Sequence, residues 1–105
     1  MSNILIVTRH TGLARYITEV LEKRGVPDAL AIEILPSATP SDIRGRDVWG
    51  VLPQKLVGLT RTFTEVPIKT PQELQAFELT IEDVRRYAGK PVVHRVQEMR
   101  EASII

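Results

Sequence analysis

The chain has 105 residues, 43% of them hydrophobic and 26% charged, with a formal net charge of +1. This is an ordinary globular composition at single-domain length, and the near-neutral balance argues against a general electrostatic binder of duplex DNA while leaving room for a local anion pocket. The chain has no cysteine, which excludes disulfides, thiolate metal sites and a cysteine nucleophile.

Ile4–Val7 (ILIV) is a continuous apolar run, the pattern of a strand covered on both faces. It is too short for a secretory leader, and no stretch approaches the roughly 20 apolar residues of a membrane helix, so a cytoplasmic protein without membrane contact is expected. Leu13, Tyr16, Ile17, Val20 and Leu21 follow at helical spacing, and Gly25 and Pro27 stop that helix. Ala29–Leu35 (ALAIEIL) reads as a second strand, ended by Pro36. Thr39-Pro40 looks like a helix start, with room for about one turn before Gly45. Asp47–Leu52 (DVWGVL) is a third strand candidate, Pro53–Leu59 a short helix and Phe63–Ile68 a weaker strand in which Pro67 suits an edge. Thr80-Ile81-Glu82-Asp83 resembles a capping box, opening a helix that Gly89 and Pro91 end. A last strand is expected over Pro91–Val96, and a frayed tail over about residues 97–105.

Strands alternating with helices predict one α/β domain over residues 1–105, with a mostly parallel sheet and helices on both faces. A strand order of 2-1-3-4 would place the switch point between the first and third strands, beyond whose carboxyl ends ligands collect. The loops there are Thr8–Gly12 and Gly50–Gln54.

Both loops carry candidate binding residues. In the first, Arg9 could hold a phosphate bidentately and His10 could act as acid or base near neutral pH. Thr8 and Thr11 add hydroxyls, and Gly12 permits close backbone approach at a helix N-terminus suited to anions. The bland reading makes Arg9 and His10 solvated loop residues. In the second loop, Gly50 marks a close approach by a ligand or by packing. Leu52 and Pro53 lead to Gln54 and Lys55, which could reach a base or a phosphate; Lys55 alone reads better as a surface charge. His94, within a strand-like stretch, reads as structural. With no carboxylate pair and no histidine cluster, neither a metal nor another cofactor is expected.

Two resemblances attach to these residues. Arg9-His10-Thr11-Gly12 after a first strand resembles the Arg-His-Gly loop of the histidine phosphatases, in which the histidine is the nucleophile. Here Thr11 interrupts the motif, and a second phosphate-pocket histidine is not evident. The second resemblance rests on Val7–Gly12 (VTRHTG), Asp47–Pro53 (DVWGVLP) and Glu78–Asp83 (ELTIED). In order and spacing these resemble a small CRISPR-associated accessory family, the sixteenth of the Csx series, across roughly residues 4–88. Residues 68–77 fit the family pattern in part. That resemblance implies a Rossmann-like fold and a homodimer that handles cyclic oligoadenylate (tetra- or hexa-adenylate). It implies a metal-independent ring nuclease, or a non-cleaving sponge for the same ligand. Arg9 would stabilise phosphorane charge, and His10 would be the acid/base or a phosphate donor.

Overall fold

Ile4–Val7 forms the first strand, β1, with Leu5, Ile6 and Val7 buried. The computed structural model describes residues 3–69 and 79–95. On one side β1 pairs in parallel with β2 (Ile34–Leu35), and on the other with β3 (Asp47–Gly50). A parallel partner to β3, β4 (Thr62–Glu65), comes next, and β5 (Val92–His94) closes the sheet antiparallel to β4. The order is β2-β1-β3-β4-β5. The expected α/β architecture is therefore present: a five-stranded, mostly parallel, Rossmann-like sheet whose switch point lies between β1 and β3.

Alternation along β1 and β3 sorts the core into two clusters. Ile6 and Trp49 face α1 (Thr11–Lys23) and Val84 from α4 (Ile81–Tyr87). Leu5, Val7, Val48 and Phe63 face the opposite side, under Ile43 of α2 (Pro40–Ile43) and the partly buried Leu56 and Val57 of α3 (Gln54–Val57). Leu13, Ile17 and Leu21 recur every four residues and form the buried stripe of α1. Each contributes about 2 kcal/mol by leaving water.

Several elements differ from the sequence expectation; β5 covers Val92–His94 of the expected Pro91–Val96, whose last residue lies outside the described ones, and α3 covers Gln54–Val57 of the expected Pro53–Leu59. Ala29–Leu35 is not one strand: Asp28 adopts a left-handed conformation (φ 56°), Ala29–Ala31 forms a 3-10 turn, and only Ile34–Leu35 pairs. Its apolar spacing serves a turn packed under α1, with Ala29 and Ile32 buried. The third strand stops at Gly50, where φ of +121° turns the chain out of the sheet. The fourth spans Thr62–Glu65 rather than Phe63–Ile68; Pro67 has no N–H for a ladder, while Val66 packs into the α1-side core. Thr70–Glu78 and the expected tail lie outside the described residues. No described helix is long and apolar enough to cross a membrane.

Candidate functional site

Thr8 leaves the carboxyl end of β1 and turns inward, 6% exposed. Its hydroxyl accepts the His10 backbone N–H at 3.1 Å, while its own N–H donates to the Leu35 carbonyl at 2.9 Å. Thr8 therefore anchors the loop. His10 is the N-cap residue of α1 (φ −96°, ψ 113°), and its side chain makes no capping bond. Arg9, His10 and Thr11 are exposed. Among the described residues neither the Arg9 guanidinium nor the His10 ring has a hydrogen-bond or ion-pair partner. Gly12 has a different neighbour from the one its loop position implied. A Cβ there would lie 2.7 Å from the Thr80 carbonyl carbon and 2.9 Å from the Ile81 nitrogen, so the glycine lets the start of α4 pack against α1.

The second loop behaves in the same way. A Cβ on Gly50 would run into the Val7 carbonyl group of β1. The next residue's N–H, from Val51, donates to the Val7 oxygen at 2.8 Å. The close approach at Gly50 is thus that of the neighbouring strand, and the bond ties the two candidate loops together two residues before Arg9. Pro53 caps α3, whose first residues are Gln54 and the exposed Lys55.

Beside this loop, above β3 and β4, lies a cavity of about 640 Å³, within the range of small-molecule sites. Gly50, Val51 and Leu52 form one wall, and Gln54 and Val57 of α3 a second. Phe63 and Glu65 of β4, Val66 just beyond it and His94 of β5 complete the described lining. Of the residues singled out from sequence, Gly50, Leu52 and Gln54 line the cavity. Thr8, Arg9, His10, Thr11, Gly12, Pro53 and Lys55 do not.

Sequence reasoning missed the opposite wall. Phe63 pairs with His94 in the β4–β5 ladder, so both side chains share the cavity face. Their rings lie 6.0 Å apart at 25°, and His94 Nε2 is 3.3 Å from Glu65 Oε1. Both polar side chains are about half exposed, so the pair contributes little to stability. From β1 to β5 is three strand steps, roughly 14 Å at about 4.8 Å each. His94 and the Arg9–His10 pair therefore cannot grip one phosphate together.

No family model, curated protein or solved structure matches this chain. Among the described residues no group of three or more histidine, aspartate or glutamate side chains could hold a metal ion. What the arrangement offers is a guanidinium and an imidazole without partners among the described residues at the β1 end, next to a largely apolar cavity lined also by Gln54, Glu65 and a second histidine, His94.

Proposed function

We propose that this protein binds cyclic oligoadenylates at the carboxyl end of its sheet and cleaves them without a metal. One observation carries the reading: at the switch point the exposed side chains of Arg9 and His10 have no partner among the described residues, beside a cavity tied to them through the Val51–Val7 hydrogen bond. The motif resemblance described above supplies the ligand class. A ring of several nucleotides extends over more than one strand spacing, so one phosphate can sit at Arg9 while a neighbouring nucleotide covers the cavity.

The chemistry is an internal transesterification. A ribose 2′-oxygen attacks its adjacent phosphorus, the P–O2′ bond forms and the P–O5′ bond breaks. The products carry a 2′,3′-cyclic phosphate and a 5′-hydroxyl, and the proton lost from the 2′-hydroxyl is balanced by the one gained at O5′. Holding O2′ in line with O5′ supplies much of the acceleration, and a guanidinium on the non-bridging oxygens stabilises the added charge. His10 serves as acid/base or as a phosphate donor. The spacing disfavours the phosphatase alternative, because His94 stands roughly 14 Å across the sheet from His10 by strand counting.

The test is incubation of the protein with cyclic tetra- and hexa-adenylate in EDTA, with products separated by chromatography. Linear products with 2′,3′-cyclic phosphate ends are expected. Arg9→Ala should slow cleavage by about 100-fold or more, and His10→Ala by about 100-fold or more if it transfers a proton. A ring that is bound yet intact leaves the sponge reading, and no saturable binding of either ring ends both. A two-fold homodimer would present two copies of the Arg9–His10 loop to a ring of even symmetry, and sedimentation with and without ring measures that assembly.

A further inference from the structure

The cavity contains a recognition surface that the phosphate chemistry does not use. Among the described residues its lining has no lysine or arginine, the groups that hold a phosphate best. Its apolar walls include Leu52, Val57 and Phe63. The residues with polar side chains among the described lining are Gln54, Glu65 and His94. An amide presents a donor and an acceptor side by side, and a carboxylate accepts only. Together they match the edge of a planar heterocycle that carries an amine next to a ring nitrogen. Phe63 and His94, stacked on one another and set on one sheet face, give that heterocycle an aromatic wall.

We infer that the Gln54–Glu65–His94 cavity is a slot for a purine base bearing an exocyclic amine, adenine under the reading above, on which this inference rests. Glu65 accepts from the exocyclic amine, and the Gln54 amide meets the adjoining ring nitrogen. The carboxylate is accessible to that amine, because its contact with His94 is long at 3.3 Å and half exposed. The slot binds the base and Arg9 the phosphate, so the two halves of one ligand are read on either side of the Val51–Val7 hydrogen bond that joins the two loops.

The experiment titrates the full chain with adenosine, inosine and uridine, none of which carries a phosphate, and titrates cyclic tetra-adenylate in parallel. Amide chemical shifts are followed on the unmodified protein. Adenosine should bind saturably, shift the amides of residues 50–52, 54 and 62–66, and bind about tenfold more tightly than inosine, which lacks the amine. Glu65→Ala should erase that preference, and Val57→Trp, which fills the cavity, should abolish adenosine binding. Equal binding of inosine or uridine overturns the inference, as do shifts confined to residues outside the cavity. If cyclic tetra-adenylate binds and adenosine does not, the slot is refuted while the ring reading stands. If adenosine binds as described and the ring does not, the slot stands and the ring reading falls.

Discussion

Alanine at position 50 would force its Cβ into the Val7 carbonyl while holding a side-chain residue at φ +121°. Both penalties act at one place, and a buried strand end leaves little room for relaxation. Gly50→Ala should cost about 3 kcal/mol, read as a lower urea midpoint with an unchanged slope. Gly25→Ala is the control: its φ is +81°, but nothing lies within 4 Å of the added carbon, so only the backbone term of about 1 kcal/mol remains. The sequence flagged Gly50 as a point of close approach without saying what approached, because the neighbour, Val7, is 43 positions away in the chain. The Glu65–His94 pair escaped for a similar reason. No periodicity within either segment shows that 29 residues later the chain returns alongside β4 in the reverse direction. Arg9 and His10 stand out as candidates in the sequence because they follow, after Thr8, the apolar run Ile4–Val7.

α4 is seven residues long, too short to persist alone in water, and depends on its caps and its contact with α1. The Thr80 hydroxyl accepts the Asp83 N–H at 3.2 Å, and the Asp83 carboxylate accepts the Thr80 N–H at 3.1 Å. This capping box was readable from four residues. The link to α1 was not: Arg85 bridges Glu19 of α1 and Glu82 of its own helix, across 66 positions in the first case. The Arg85 hydrogen bond holds the Glu19 carboxyl below its ordinary value, outweighing the opposing desolvation. A carboxyl depressed in the folded state stabilises the fold above its unfolded pKa, about 4.3, and loses that contribution as pH falls through the folded value. Glu19→Gln should therefore flatten the fall in Tm on acidification below about pH 4.3 and lower Tm slightly at pH 7. An equal acid slope in both proteins would remove Glu19 from that account. The second strand shows the opposite limit of sequence reading. ALAIEIL has strand-like composition throughout, yet the left-handed Asp28 starts a tight turn, and only two residues reach the sheet.

At the scale of the molecule, the alternation of apolar runs and amphipathic stretches specified the layers, and the buried runs at β1 and β3 specified the centre of the sheet. The orientation of β5 was not specified, since a three-residue strand looks the same in either direction. The resulting strand order has a kinetic consequence. Among the described strands no two neighbours are joined by a tight turn: Asp47 pairs with Thr62, Ile6 with Ile34, Phe63 with His94, and Ile4 with Asp47. Each pairing must close a long loop before any ladder energy is gained. The sheet therefore cannot grow by zipping from a hairpin, and its transition state must gather distant segments around β1 and β3. Stopped-flow refolding should be slow for a chain of this length, on the millisecond-to-second scale rather than microseconds. Ile6→Val and Val48→Ala should slow refolding more than they speed unfolding, whereas Val93→Ala at the last edge strand should act mainly on the unfolding limb of the chevron.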